Sequence, residues 1–328
     1  MSSPAPPRRF DVCNGDADGL CAVRQWRLHE PAAAKLVTGL KREIALLQRV
    51  PADAADEVLV CDVSMERNHA ALLVLLARGV HVRWFDHHAA GDVPADPGLE
   101  AHLDFGADIC SSLLVDRHLG GRHRAWALAG AYGDELTAQA DRLALASGFD
   151  DAQRAALQRF GRAINYNAYG EEASDVHLHP AELYAVMARH ADPFELLARE
   201  TVIDEIDAQR EADLRLALAL APAWQSERAR VVLLPDAAWS RRVSGVLANE
   251  LATEQPAQAQ AVLSVRRGGD YRVSVRAPRD APQGAAALCR AFGGSGRAAA
   301  AGIDALPAAE LDRFIQALAA ARWENPPC

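Results

Sequence analysis

The sequence predicts an α/β protein in which a parallel sheet flanked by helices is joined, through a helical linker, to a smaller α/β domain. Three observations carry this prediction. The first half alternates short β-type runs with stretches of helical spacing, the middle is mostly helical, and the last third returns to β-type runs. Strand–helix–strand repetition of this kind is typical of a parallel sheet covered by helices.

The first half supplies the predicted sheet domain. Its β-type runs cover residues 10–14, 35–39, 57–63 and 80–85. Helical periodicity appears between them, at residues 19–30, 41–50 and 65–78. Residues 108–190 are then predicted to be mostly helical, interrupted by a loop at 166–180.

A long amphipathic helix at residues 193–220 is the predicted connector. The second domain is predicted to contain, in order, a strand at 230–234, a helix at 240–251, a hairpin of strands 259–266 and 271–276, and helices at 284–292 and 308–322. The turn Gly268-Gly269-Asp270 favours the hairpin. The domains are therefore predicted at residues 1–192 and 228–328, with the linker at 193–227.

Length and charge limit the function classes. A chain of 328 residues accommodates two domains. The formal net charge of -9 argues against a protein that coats long duplex nucleic acid. The charge is uneven, because residues 228–328 hold 13 Arg against 9 Asp and Glu. This asymmetry favours carboxylates around metal ions in the first domain and phosphate-binding arginines in the second.

The six cysteines include no C-x-x-C pair and lie mostly in apolar runs, so reduced core thiols are expected. The N-terminal segment has no apolar signal-peptide core. No apolar stretch approaches the roughly 18 residues of a membrane span. The sequence therefore predicts a cytoplasmic protein that does not enter a membrane.

Acidic residues and histidines follow three of the predicted strands. Asp16 and Asp18 come after the first strand, Asp62 ends the third, and Asp86, His87 and His88 follow the fourth; the last three form the motif Asp-His-His. In an open parallel sheet these strand ends face one crevice. Ionised carboxylates crowd such a cleft only when a cation holds them together. Oxygen and imidazole ligands suit Mn²⁺ or Mg²⁺.

These residues, with Asp134 and the glycine-rich segment 292–302, resemble the ordered motifs of the DHH phosphoesterase superfamily. That superfamily includes RecJ exonucleases, nanoRNases, cyclic-dinucleotide phosphodiesterases and family II pyrophosphatases. The resemblance covers about residues 10–325, and it implies a DHH catalytic domain followed by a DHH-associated substrate-binding domain.

The resemblance also implies a role for each motif residue. Asp16 would bind a first Mn²⁺ ion and Asp18 a second, while Asp62 would bridge the two. His87 and Asp134 would complete the second site, and Mg²⁺ could replace Mn²⁺. A hydroxide bridging the two ions would then be the nucleophile.

Asp86 is expected to orient His87, and His88 to contact the scissile phosphate. The first ion site departs from the pattern at two positions. Some relatives carry Asp where this chain has Asn14, and many that act on small substrates carry His where it has Val12. A first ion is therefore expected to depend more on water ligands.

Substrate binding is expected in the second domain. The candidate residues are a strand-end arginine and the glycine-rich loop with the arginine after it: Arg276, Gly293, Gly294, Ser295, Gly296 and Arg297. Backbone N–H groups of such a loop can approach a phosphate closely, and an arginine can grip it with two hydrogen bonds. His177 and His179 precede Pro180 in a loop whose interpretation as structural, lid or metal-binding stays open.

The sequence thus predicts a metal-dependent phosphoesterase of small nucleotides or short oligonucleotides, similar to nanoRNases or to phosphatases of 3'-phosphoadenosine 5'-phosphate. The expected partner is that substrate, without long duplex nucleic acid, and a homo-oligomer is left open. The alternatives are a RecJ-like single-strand exonuclease, a cyclic-dinucleotide phosphodiesterase, and a non-catalytic nucleotide or RNA sensor with a degenerate metal site.

Overall fold

The computed structural model describes residues 7–266 and 268–324. It divides into two compact units, Met1–Asp207 and Ala208–Cys328. The division falls within the segment 193–227 that the sequence predicts as the linker. The α/β class and the presence of a second, smaller sheet unit are confirmed.

The first unit contains a five-stranded sheet in which every strand pair is parallel. Its strands are β1 (Arg9–Cys13), β2 (Ala34–Val37), β3 (Glu57–Cys61), β4 (His81–Asp86) and β5 (Leu99–Leu103). Their order across the sheet is β2-β1-β3-β4-β5. β2 and β3 therefore lie on opposite sides of β1, so the order of the strands reverses at β1. Ligands of open parallel sheets bind at such a switch point.

Apart from residues 41–50, the helices of the first unit lie in the regions that the sequence predicts to be helical. They are α1 (Ala17–His29), α2 (Met65–Ala77), α3 (Ser111–His118), α4 (Arg124–Gly133), α5 (Thr137–Ala146), α6 (Asp151–Asn167), α7 (Pro180–Met187) and α8 (Pro193–Arg199). The next helix, α9 (Val202–Leu218), contains the division between the units. Short 3-10 turns occupy Leu47–Arg49 and Ala173–Asp175.

The turn between β1 and α1 depends on two glycines. A Cβ atom on Gly15 would lie 2.0 Å from the Gly39 carbonyl oxygen, and one on Gly19 would lie 2.3 Å from the Asn14 carbonyl oxygen. Both contacts are with backbone atoms, which cannot yield as a flexible side chain does. Asp16 then caps α1, because its Oδ1 accepts a hydrogen bond from Gly19 N at 3.1 Å.

The predicted helix at 41–50 is wrong, apart from its last turn. Side chains bind the backbone groups that a helix would pair internally. Asn14 donates to the Lys41 carbonyl at 3.1 Å, and Asn68 donates to the Ile44 carbonyl at 2.7 Å. Such side-chain-to-backbone bonds compete with helix formation.

The predicted helix at 193–220 is divided into α8 and α9. The Glu200 backbone between them is extended, with φ -117° and ψ 139°. His190 and Arg189 hold the Glu200 carboxylate at 2.9 and 3.1 Å. This pair of contacts fixes the break, which helical periodicity alone does not reveal.

The second unit is built on a six-stranded mixed sheet of order β10-β11-β9-β8-β7-β6. Its strands are β6 (Trp224–Gln225), β7 (Ala229–Leu234), β8 (Ala259–Val265), β9 (Tyr271–Arg276), β10 (Ser295–Gly296) and β11 (Ala300–Leu306). Its helices are α10 (Ala238–Glu254), α11 (Ala285–Arg290) and α12 (Leu311–Ala320), the last preceded by a 3-10 turn at Ala308–Glu310. The predicted antiparallel pairing of β8 with β9 is confirmed, whereas β5, β6, β10 and β11 were not predicted.

Each sheet packs a core of its own. In the first unit, Val60 and Trp84 of the sheet are fully buried together with Leu72 of α2. The five cysteines that the structure describes are buried and carry free thiols, and Cys328 lies outside the described residues. None of the described helices combines the length and the apolar character that crossing a bilayer requires.

The first unit contains a buried ion pair between a residue of α1 and a residue of β1. Arg27 donates two hydrogen bonds to the Asp11 carboxylate in β1, at 2.8 and 2.6 Å, and Asp11 is 2% exposed. Burial raises the pKa of Asp11 although Arg27 opposes that rise.

We predict that Arg27→Met lowers the free energy of unfolding of the first unit by about 3 kcal/mol, because it leaves a buried carboxylate unpaired. Native-state hydrogen exchange of the β1 amides measures this. The double variant with Asp11→Asn should recover much of the loss, and equal losses in the single and double variants would contradict the interpretation.

Candidate metal centre

The carboxyl ends of three neighbouring strands bring the acidic motifs together. Cys13, Cys61 and Phe85 are aligned across β1, β3 and β4. Asp62 therefore follows β3 at the level where β4 reaches Asp86, and Asp62 N donates to the Phe85 carbonyl at 3.0 Å. Parallel pairing thus converts motifs that are distant in sequence into one cluster at the sheet edge.

Asp62 has a left-handed backbone, with φ 58°. This conformation is uncommon for residues other than glycine, although Asp and Asn tolerate it better than most. Such backbone outliers concentrate at functional sites. Ser111 Oγ donates to Asp62 Oδ1 at 3.3 Å, which helps to hold the carboxylate in place.

Asp18 is held by the start of α3. The backbone N–H groups of Ser111 and Ser112 donate to its two carboxylate oxygens at 2.7 and 2.8 Å. The sequence motifs did not indicate these donors, because Ser111 and Ser112 lie more than 90 positions further along the chain.

Three carboxylate oxygens lie within 4.0 Å of one nitrogen of His87. His87 Nε2 lies 3.4 Å from Asp62 Oδ1, 3.9 Å from Asp134 Oδ2 and 4.0 Å from Asp18 Oδ2. Asp134 directly follows α4, so it approaches from a different element than the strand-end residues. The structure thus brings together the four residues that the resemblance assigns to the second ion.

The electrostatics of this cluster favour a cation. Burial and the charges of Asp16 and Asp18 raise the pKa of Asp62 well above its ordinary value. Burial also raises the pKa of Asp134 to about 6, although Lys41 opposes that rise. The cluster therefore holds more buried negative charge than its own hydrogen bonds compensate.

Protonated His87 compensates part of that charge in the metal-free arrangement. Burial lowers the pKa of His87, but the hydrogen bond with Asp62 and the surrounding carboxylates raise it overall, to about 10. Its Nδ1 atom is buried and makes no hydrogen bond within the part of the chain that the structure describes. A divalent ion could take over this charge compensation, with neutral His87 as a ligand through Nε2.

Asp86 contacts His88 and does not orient His87, so that expectation is wrong. Asp86 Oδ1 lies 2.8 Å from His88 Nδ1. The His87 ring is instead turned towards Asp62, with Nε2 3.4 Å from Oδ1, and its Nδ1 makes no hydrogen bond among the described residues. Burial lowers the pKa of His88, but the Asp86 hydrogen bond and the Asp62 charge raise it overall, to about 9.

Lys41 is a member of the cluster that the sequence motifs did not identify. Its Nζ donates to Asp16 Oδ2, and to Asn165 Oδ1 at 3.2 Å. Burial opposes the charged form, but Asp16 and other anionic groups raise the pKa of Lys41 well above its ordinary value. Burial likewise opposes ionisation of Asp16, yet Lys41 lowers the pKa of Asp16 overall. The available signal was compositional, because the chain has only two lysines, Lys35 and Lys41.

A cavity of about 130 Å³ opens beside these groups. Its lining combines three carboxylates with a lysine, a histidine, an asparagine, a serine and two apolar residues: Asn14, Asp16, Lys41, Ile44, Asp62, Val63, Ser64, His88 and Asp134. Carboxylate oxygens and one imidazole nitrogen are a donor set suited to Mn²⁺ or Mg²⁺. The residues present therefore fit a divalent-ion centre with His88 at its edge.

His177 and His179 have structural roles in the described part of the chain. His177 Nε2 lies 3.2 Å from Glu205 Oε2, and His179 Nδ1 accepts a hydrogen bond from Ala181 N at 3.2 Å, which caps α7. These contacts support the structural interpretation of the loop.

The candidate substrate residues lie in the second unit. Arg276 ends β9 and donates to Asn249 Oδ1 at 2.7 Å. The glycine-rich loop forms a hairpin, in which Ser295–Gly296 pairs with β11, and exposed Arg297 lies at the turn between the strands. A Cβ on Gly294 would lie 2.2 Å from the Gly302 carbonyl oxygen, so this glycine is required for packing. The substrate roles of Arg276, Gly293, Gly294, Ser295, Gly296 and Arg297 stay predictions.

No family model matches the chain, and no curated protein sequence matches it significantly. Solved structures do share its fold. An exonuclease RecJ bound to manganese is 20% identical, with a TM-score of 0.61 over 95% of this chain and 89% of that one. A DHH domain described as a member of the s1p family of ribosomal proteins is 14% identical, with a TM-score of 0.67 over 96% and 86%.

A third similar structure is the pGpG-specific phosphodiesterase PggH from a Vibrio species. It is 15% identical, with a TM-score of 0.55 over 95% of this chain and 97% of that one. The fold that the resemblance implied is thus confirmed. It extends over nearly all of the chain.

We predict that Asp62→Asn weakens Mn²⁺ binding by more than about 100-fold, because even residues that only support metal ligands contribute 10–100-fold. Asn retains the tolerance for the left-handed backbone, so the fold should persist. Isothermal titration calorimetry measures the binding.

The matched control is Glu100→Gln. Two groups of described residues have possible ligand atoms that all lie within 4.8 Å of one another: Asp62, His87 and His88, and also Glu100, His102 and His118. Arg83 and His102 already hold the Glu100 carboxylate, at 2.7 Å each. Mn²⁺ affinity should be unchanged in Glu100→Gln. A loss of affinity in Glu100→Gln with none in Asp62→Asn would instead place the ion at the group of Glu100, His102 and His118.

Proposed function

We propose that the chain is a metal-dependent phosphoesterase that hydrolyses phosphate esters of small nucleotides or short oligonucleotides. The observation that carries the proposal is the approach of the Asp18, Asp62 and Asp134 carboxylates to His87 Nε2, within 4.0 Å, beside a cavity that Asp62 and Asp134 line. Burial of that many acidic groups at the switch point of a parallel sheet is energetically unfavourable. A bound cation would offset this cost, and the switch point is where such sheets bind their ligands.

Mn²⁺ is the proposed ion, with Mg²⁺ as the substitute. Asp18, Asp62, His87 and Asp134 would hold it, and Asp16 faces the same cavity. A divalent ion at this position would lower the pKa of a water molecule and offset charge on the phosphoryl oxygens. The manganese in the similar RecJ structure supports the choice of ion.

His88 is the proposed contact for the scissile phosphate. Asp86 holds its Nδ1, so Nε2 is the ring nitrogen that remains for substrate. The His88 side chain is 45% exposed and lines the cavity, whereas Asp86 is fully buried. Protonated His88 can donate a hydrogen bond to a phosphate oxygen or a proton to the leaving group. Asp86 is then a positioning residue.

Two considerations favour a small substrate. The net charge of -9 provides little attraction for a long polyanion, and one or two phosphates need few basic groups. The full-length similarity to a pGpG-specific phosphodiesterase is compatible with a substrate of two nucleotides. A 3'-phosphorylated mononucleotide is the smallest member of the proposed substrate class.

A RecJ-like single-strand exonuclease is the second candidate. It is favoured by the motif Asn14-Gly-Asp-Ala-Asp-Gly19 and by the similarity to RecJ over 95% of this chain. A cyclic-dinucleotide phosphodiesterase would use the same centre, and a non-catalytic sensor would bind nucleotide without turnover.

We predict that the purified full chain with Mn²⁺ degrades labelled dinucleotides to tetranucleotides faster than a long single strand of the same composition. Gel or chromatographic separation of products measures the rates, and 3'-phosphoadenosine 5'-phosphate and a cyclic dinucleotide complete the substrate panel. Asp62→Asn should abolish turnover and Glu100→Gln should not. Turnover restricted to long strands would support the RecJ-like exonuclease instead. Binding of nucleotide without turnover would support the non-catalytic sensor.

The corrected contact of Asp86 gives a second prediction. Asp86→Asn should lower kcat by about tenfold to 100-fold with little change in KM or in Mn²⁺ affinity, because Asp86 holds His88 and not the ligand His87. His87→Gln should lower Mn²⁺ affinity strongly. Steady-state kinetics and calorimetry of both variants provide the comparison, and equal loss of Mn²⁺ affinity in the two would restore Asp86 as the support of His87.

A further inference from the structure

Lys41 places a fixed positive charge on Asp16. Its Nζ donates to Asp16 Oδ2, while the other oxygen of that carboxylate accepts from Gly19 N at 3.1 Å. Asp16 is 2% exposed. One oxygen of Asp16 therefore contacts a cation of this chain, whereas the oxygens of Asp18 accept from neutral backbone amides.

Several segments fix the position of Lys41. Its backbone N–H donates to the Ala168 carbonyl at 3.0 Å, and its carbonyl accepts from Asn14 Nδ2 at 3.1 Å. Its ammonium group donates to Asn165 Oδ1 at 3.2 Å and lies 5.6 Å from the centre of the Tyr169 ring. These contacts interrupt the helix predicted for 41–50. The lysine is thus placed by the fold and is not a mobile surface side chain.

The two sides of the centre differ in their supply of ligands. Beside Asp16, both polar atoms of the Asn14 side chain make hydrogen bonds to the backbone. Oδ1 accepts from Asp16 N at 3.3 Å, and Nδ2 donates to the Lys41 carbonyl. Val12, in the strand before it, is fully buried in the core. The other side offers three carboxylates around His87 Nε2, those of Asp18, Asp62 and Asp134.

We propose, on the premise of the proposed function, that the Lys41 ammonium takes the place of one metal ion. The centre then holds a single divalent ion on Asp18, Asp62, His87 and Asp134, and Lys41 supplies the second positive charge.

Coulomb repulsion provides the physical reason. An ion bound to Asp16 Oδ2 would lie about 2 Å from that oxygen, which the ammonium also contacts. Two cations on one oxygen repel each other strongly in a partly buried site. An ammonium group carries three N–H donors, and the bonds with Asp16 and Asn165 use two. The third is available for a phosphate oxygen in the cavity that Lys41 lines.

The stoichiometry of Mn²⁺ tests this role without relying on activity. Calorimetry of the full chain should give one tightly bound Mn²⁺ per chain, and electron paramagnetic resonance should show an isolated ion. Lys41→Gln should bind two Mn²⁺ with the spectrum of a coupled pair, whereas Lys41→Arg, which keeps the charge, should bind one. Two ions and a coupled spectrum in the parent chain would overturn the proposal, and so would a single ion in Lys41→Gln.

Lys35 supplies the matched control, because it is the only other lysine and lies exposed on β2. Lys35→Gln should bind one Mn²⁺ like the parent. Retention of the first ion in Lys41→Gln shows that this variant is folded. Two ions together with turnover in the parent would refute only the role of Lys41, whereas no ion and no turnover would refute the proposed function as well.

Inorganic phosphate is the probe for the third N–H donor. With one Mn²⁺ bound, phosphate should bind about tenfold more weakly to Lys41→Gln than to the parent, the order expected for a lost charged hydrogen bond. Lys35→Gln should match the parent. Equal phosphate affinity in all three proteins would exclude the contact between Lys41 and substrate.

Discussion

The structure depends on one constraint: several carboxylates are buried together at the ends of parallel strands, and their charge must be compensated. Asp16, Asp18 and Asp62 are each at most 2% exposed. Water cannot solvate them at that depth, so each needs hydrogen-bond donors or cations. The amides of Ser111 and Ser112 serve Asp18, and Lys41 serves Asp16. Asp62, with its raised pKa, is compensated least.

This unequal compensation connects the fold to the proposed chemistry. Asp62 lies 3.4 Å from His87 Nε2 and lines the same cavity as Lys41 and Asp16. A divalent ion is most favourable where negative charge is least compensated, and a phosphoryl group is attracted where cations converge. In the metal-free protein Lys41 compensates Asp16 and protonated His87 faces Asp62. A metal ion can displace the proton of a histidine but not the charge of the lysine, so the two groups differ chemically.

The sequence predicted much of this arrangement and missed particular contacts. Hydrophobic periodicity identified the strands β1, β3 and β4, whose ends carry the acidic motifs, because buried parallel strands have strong apolar runs. It misassigned residues 41–50, where Asn14 and Asn68 bind the backbone from distant positions. It also paired Asp86 with the wrong histidine, since a motif does not specify the direction of each side chain.

The sequence by itself determined the α/β class and the identity of the acidic and histidine motifs. These features are local, because they depend on periodicity and on residues close in the chain. Only the tertiary structure decided that Lys41 contacts Asp16, that α3 holds Asp18 and that Asp86 holds His88. Those contacts depend on strand order and side-chain direction, and neither is specified until the sheet assembles.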